Sequence, residues 1–218
     1  MSMTTSDRDQ PQFTNTDCFA ILGTRGCGKS FLCRRVQDLY PKRVIIDSLN
    51  EYKSSGPNEV VSDFEVFCEK MLELKKSKKK KFQIIFQFNP EIENSDEIFN
   101  QILRVLYKFK NIQIVIEEVQ LFASPHRLPH WLKQCLLTGR HQNLSLIFTT
   151  QRPGELNKTI LSQCTHIFAG QMHEKNDLKY ISGFLGVDTE KLINLEKRKF
   201  IYWRPGNEAL VVNNTLSK

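Results

Sequence analysis

The octapeptide GTRGCGKS, residues 23–30, constrains this chain more than any other feature; it lies between the apolar run CFAIL and the amphipathic FLCRRVQDLY. A glycine, four residues and then Gly-Lys-Ser form a phosphate-cradling turn that needs a strand before it and a helix after it. The glycines let backbone N–H groups converge where a side chain would block approach, and the helix N-terminus adds partial positive charge. Gly23, Thr24, Arg25, Gly26, Cys27, Gly28, Lys29 and Ser30 are therefore the candidate cofactor-binding residues. Lys29 is placed to reach the β- and γ-phosphates of a nucleotide and Ser30 to ligate Mg²⁺. Cys27 reads as a tolerated variable slot. The loop alone does not say what the nucleotide is spent on.

The rest of the chain supplies the fold that such a loop demands. Short apolar runs at 18–23, 43–48, 82–88, 112–118, 144–150 and 166–170 read as strands buried on both faces. Amphipathic segments lie between several of them: FLCRRVQDLY, DFEVFCEKMLEL, DEIFNQILRVLYKF and LPHWLKQCLLTGR, with NDLKYISGFLGV after the last. This alternation predicts an α/β fold with a mostly parallel central sheet flanked by helices. Pro-Gly-Asn between two apolar runs of the tail predicts a C-terminal β-hairpin. A length of 218 residues suits one core, with residues 1–16 a flexible polar lead-in and 17–218 a single domain. No apolar run is long enough to span a bilayer and no signal-like stretch opens the chain, so a cytoplasmic location is expected. Six cysteines without a CxxC pair, and five histidines without ligand spacing, argue against a metal site or a disulfide framework.

Two strand ends carry further chemistry. IQIVIEEVQLF ends an apolar strand in two acids, placed for Glu117 near Mg²⁺ and Glu118 as general base for an attacking water. A pair of surface glutamates is the bland alternative. LIFTTQRP ends another strand in Thr150 and Gln151, where Gln151 can hydrogen-bond both a γ-phosphate and the water. Arg140, in TGRHQN, suits either a neighbouring subunit's γ-phosphate or the end of its own helix. A net charge of +7 leans toward a polyanionic partner, and LKKSKKKK at 74–81 suits either a solvated loop or a nucleic-acid backbone. Trp131 and Trp203 read as core or interface anchors rather than base-stacking platforms, and Asp47 and Glu51 as a solvated strand-to-helix turn, with support of the active site or a subunit contact as the alternative.

The order GTRGCGKS, IVIEEVQLF, TGRHQNLSLIFTTQRPGELNKTILSQCTHIFAG resembles the HerA–FtsK superfamily of ring-forming P-loop ATPases, over roughly residues 17–172. Within it, the chain is most similar to the packaging ATPases of tailless icosahedral DNA viruses and phages. The resemblance implies a RecA-like P-loop NTPase fold, with ATP and Mg²⁺ as cofactors. It implies that Glu117 is the metal-associated acid, Glu118 the catalytic glutamate, Gln151 the polar sensor and Arg140 a residue acting in trans. Glu117 departs from the more usual Asp, and Gln120 stands where cellular relatives often have His. The function implied is ATP-driven translocation of double-stranded DNA into a preformed capsid by a homo-oligomeric ring, in the host cytoplasm or with the virion, with a capsid vertex protein as partner. A cellular or plasmid HerA-like motor and a nucleotide-gated binding module without turnover are the alternatives. No N-terminal barrel like that of cellular HerA is expected before the domain, an expectation that favours the packaging reading.

Overall fold

The computed structural model describes residues 13–52 and 58–213. Its strands are β1 Cys18–Leu22, β2 Lys42–Asp47, β3 Asn58–Val61, β4 Phe82–Gln87, β5 Ile112–Ile116, β6 Leu144–Thr150, β7 His166–Ala169, β8 Lys199–Trp203 and β9 Leu210–Asn213. They form one sheet in the order β3-β4-β2-β5-β6-β1-β7-β8-β9. The first seven run parallel and β8 and β9 close the sheet as the expected antiparallel hairpin. The helices are α1 Lys29–Gln37, α2 Phe64–Ser77, α3 Ser95–Phe109, α4 His130–Thr138, α5 Lys158–Gln163, α6 Lys175–Leu185 and α7 Thr189–Ile193. The short elements β3, α5 and α7 are additions to the sequence-based expectation.

Continuous apolar strands bury both faces of the sheet, which separates two cores. Phe19, Ile21, Ile45, Val115 and Ile147 meet Leu32, Cys33 and Val36 of α1 on one side. Ala20, Leu22, Val44, Ile114 and Phe148 meet the helical layer on the other. The helix patterns match that job. α3 buries Phe99, Ile102, Leu103 and Leu106, an i, i+3, i+4, i+7 stripe, with Asp96 and Glu97 in its first turn and Lys108 in its last. α2 starts on Asp63, whose carboxylate accepts the Val66 N–H at 2.9 Å, and buries Phe67, Met71 and Leu74. Trp131 and Trp203 are partly buried against this core, as expected.

Residues 1–12 of the expected lead-in lie outside the described residues. Residues 13–16 pack against the domain: the Phe13 ring meets Phe19 and His166 edge-on at 5.3 and 5.0 Å, and Thr14 donates to Asp17. All six cysteines are free thiols. Among the described residues no cluster could hold a metal through His, Cys, Asp and Glu alone, and no helix is long and apolar enough to cross a membrane.

Candidate functional site

Four adjacent strands deliver chemistry to one edge of the sheet. In the order β2-β5-β6-β1, their carboxyl ends lead into the Asp47 loop, Glu117-Glu118, Gln151 and the glycine-rich loop. Leu22 pairs with Thr150, and the Gly23 N–H donates to the Thr150 carbonyl at 3.2 Å, which fixes the loop beside Gln151. A parallel sheet concentrates ligand contacts at this edge. Arg25, Gly26, Gly28, Lys29, Ser30, Phe31, Leu49, Glu51, Glu117, Glu118, Gln151 and Arg198 line a single cavity of about 370 Å³ there.

The loop turns on glycines with positive φ at 23, 26 and 28, and α1 starts immediately after it. Lys29 is buried and folds back across the loop, its Nζ donating to the carbonyls of Gly23 at 2.8 Å and Thr24 at 3.2 Å. Thr24 is tied outward, its N–H and hydroxyl both donating to the Gln171 carbonyl. Cys27 corrects the sequence reading of a variable slot. It is 2% exposed, and a Cβ built on either Gly23 or Gly170 would lie 2.9 Å from its Sγ. The thiol therefore plugs the loop into the core under two glycines. Burial raises its pKa, and Lys29 opposes that shift.

The two acids divide by direction. Glu117 is buried; Tyr52 Oη donates to its Oε1 at 2.7 Å and the Thr149 hydroxyl donates to its Oε2. Burial raises its carboxyl above the ordinary glutamate range; the Thr149 and Tyr52 hydrogen bonds oppose this, and the charges of Glu118 and Asp47 add to it. Glu118 sits in a left-handed conformation at φ 48, and both its oxygens are held by amides. Gln151 Nε2 donates to Oε1 at 3.0 Å, while the Gln151 backbone N–H and Gln120 Nε2 donate to Oε2 at 3.1 and 2.6 Å.

Asp47 corrects a second reading. It is fully buried, and its carboxylate accepts the backbone N–H groups of Leu49, Glu51 and Tyr52 at 3.3, 3.2 and 3.0 Å. This carboxylate shapes the loop that brings Glu51 to the cavity and Tyr52 to Glu117. Sequence reasoning left Tyr52 and Thr149 unassigned, because their partner lies 65 and 32 residues away.

Arg140 lies elsewhere. It is exposed in the turn 139–142 ahead of β6, at the opposite edge of the sheet from Gln151. Seven strand residues separate the two edges, about 20 Å. The guanidinium cannot reach the cavity of its own chain. The lysine run lies at that same far edge, exposed in the last turn of α2 and the turn into β4.

The Ser30 hydroxyl and the Glu117 carboxylate are hard oxygen donors lining the same cavity, a pair that fits Mg²⁺. The glycine-rich loop, a lysine and a held carboxylate opposite them suit a polyphosphate whose terminal group is attacked by water.

A family described as "AAA domain" matches residues 14–160. Protein P9 of Pseudoalteromonas phage PM2 is 24% identical over 201 residues, covering 90% of this chain and 88% of its own. DNA packaging ATPase P9 of Enterobacteria phage PRD1 is 26% identical over 137 residues, 59% of each chain. The genome packaging NTPase B204 of Sulfolobus turreted icosahedral virus 2, solved with AMPPCP, superposes with a TM-score of 0.71 at 19% identity, over 91% of this chain and 97% of that one. The fold is that of the P-loop NTPases.

Proposed function

The chain belongs to the AAA domain family, and from that premise we propose that it is an ATP-hydrolysing DNA translocase that packages a viral genome into a preformed capsid as a homo-oligomeric ring. The observation that carries the reading is Glu118, held by Gln151 and Gln120 at a cavity it shares with Lys29 and Ser30. The similar PRD1 and B204 proteins, a DNA packaging ATPase and a genome packaging NTPase, supply the substrate class.

In this reading the backbone of residues 23–28 cradles the phosphates of ATP and Lys29 moves onto the β- and γ-oxygens. Ser30 and Glu117 would hold Mg²⁺, which would supply neutralisation of the phosphate charge. Glu118 orients the attacking water and accepts its proton, a role worth about 10²- to 10⁴-fold in rate. Gln151, whose amide donates to Glu118, is the residue that senses the γ-phosphate in this reading. Tyr52 and Thr149 keep Glu117 in one orientation. Arg140, out of reach of its own cavity, acts on the γ-phosphate of the next subunit and so makes turnover depend on ring assembly. The basic far edge, including residues 75–81, offers charge to duplex DNA.

Displacement of a third strand from a triplex-bearing duplex tests translocation. The protein is expected to release that strand only with ATP and Mg²⁺, and not as the Glu118→Gln variant. ATP turnover with no strand release in any buffer contradicts the motor reading and favours a nucleotide-gated binding module.

A further inference from the structure

Arg198 enters the cavity from beyond the family-matched segment, in the turn that leads into β8. Its backbone N–H donates to the Cys27 carbonyl at 2.9 Å, so the turn is fastened directly to the glycine-rich loop. The fastening continues inside the protein. A Cβ on Gly170 would meet both the Cys27 Sγ, at 2.9 Å, and the Phe200 ring of β8, at 3.1 Å. Loop, β7 end and β8 start are therefore packed as one unit. Arg198 holds a φ of 67, a left-handed conformation that a long side chain adopts only at a cost and that a close structural role sustains.

The guanidinium itself is exposed and has no ion-pair partner among the described residues; its neighbour Glu196 is paired with Lys199 at 2.8 Å. Sheet order settles which side of the loop it occupies. In β5-β6-β1-β7-β8, the loop leaves the central strand, Glu117 and Glu118 come from two strands to one side, and Arg198 from two strands to the other. A cation there meets the ligand from the flank opposite the two acids and does not neutralise Glu118.

We propose that Arg198 is a second cationic contact, made in cis, to the phosphate chain of the bound nucleotide. The proposal rests on the reading of the cavity as an ATP site. It makes the C-terminal hairpin part of that site, so the P-loop and the last strands of the sheet respond to nucleotide together. A planar guanidinium suits this position because it can fork onto two phosphate oxygens, whereas an ammonium offers a point charge.

The test is competition against a fluorescent ADP analogue, with ATP, ADP and base-free tripolyphosphate as competitors in excess Mg²⁺. Arg198→Asn is the informative variant: asparagine tolerates positive φ, so the backbone and its bond to Cys27 are kept while the charge is removed. The expected result is an affinity loss of about tenfold for all three competitors, a shallower salt dependence and an unchanged melting temperature. Arg198→Lys is expected to recover part of the affinity, and it also serves if the asparagine variant folds poorly. Affinities within twofold of wild type in both variants overturn the proposal, as does a loss for ATP and ADP without one for tripolyphosphate, which would put the guanidinium on the base or ribose. Wild-type protein that binds none of the three overturns the ATP-site reading itself.

Discussion

Replacing Tyr52 by Phe removes one oxygen atom from the centre of the site. That hydroxyl donates to Glu117 Oε1 at 2.7 Å and accepts from Gln37 Nε2 at 2.9 Å. Without it, Oε1 keeps, among the described residues, only the Cys33 thiol at 3.9 Å, a weak donor, and Gln37 keeps its 3.1 Å contact to the Cys33 sulfur. Removing a hydrogen bond to a buried charged acceptor costs about 1.5–3 kcal/mol. The ring stays, so no cavity term adds to it. Urea unfolding of Tyr52→Phe is therefore expected to show a loss near 2 kcal/mol with an unchanged slope. A double-mutant cycle with Glu117→Gln is expected to show coupling of about 1 kcal/mol or more, since the two residues share one bond. Turnover is expected to fall about tenfold and to need more Mg²⁺, while ADP affinity changes little, because Glu117 loses its fixed orientation. A stability change below about 0.5 kcal/mol with unaltered Mg²⁺ dependence would refute the claim that Tyr52 positions the acid.

Other outcomes follow from the same geometry. Gly170→Ala places a Cβ 2.9 Å from Cys27 Sγ, 3.1 Å from Phe200 and 3.3 Å from the Leu22 carbonyl, so it is expected to cost about 1–3 kcal/mol in urea unfolding. Adding Cys27→Ala is expected to return part of that loss. Burial raises the Asp17 carboxyl, but the His166 hydrogen bond, two bonds from Thr14 and the His166 charge more than offset it, leaving its pKa below the ordinary 3.8. A depressed carboxylate stabilises the fold above its unfolded value and loses that contribution as pH falls through the folded one. The stability gap between wild type and Asp17→Asn is therefore expected to narrow as pH falls below about 4, read by thermal melts across pH. Arg140→Ala mixed in equal amount with wild type is expected to lower ATPase activity below the proportional half, whereas strict proportionality would place the arginine outside any shared site.

Much of this site was legible because parallel strands buried on both faces write themselves as apolar runs. Motifs at the ends of such runs fall on one sheet edge. GTRGCGKS, Glu117-Glu118 and Gln151 follow β1, β5 and β6, which are neighbours in the sheet. The hairpin was readable from its turn residues. What the sequence withheld depends on tertiary contact. The strand β3 has four residues and pairs with β4 alone, too little for periodicity to register. Asp47 looked like a turn residue because the three N–H groups that bury it belong to a loop with no repeating pattern. Cys27 looked like filler because its packing partners, Gly170 and Phe200, lie far along the chain. Arg198 gave no signal at all, since the backbone bond that brings it to the loop spans most of the sequence.

The central claim is that this cavity hydrolyses ATP with Glu118 as base in service of work on DNA. Phosphate release measured against duplex DNA concentration, for wild type and Glu118→Gln side by side, tests it most directly. The account predicts wild-type turnover that rises with DNA, and a variant that loses at least 100-fold of that turnover, about 10² being the floor for a general base, while still binding ATP. Equal turnover in the two proteins, or a wild-type rate indifferent to DNA at every salt concentration, would contradict it.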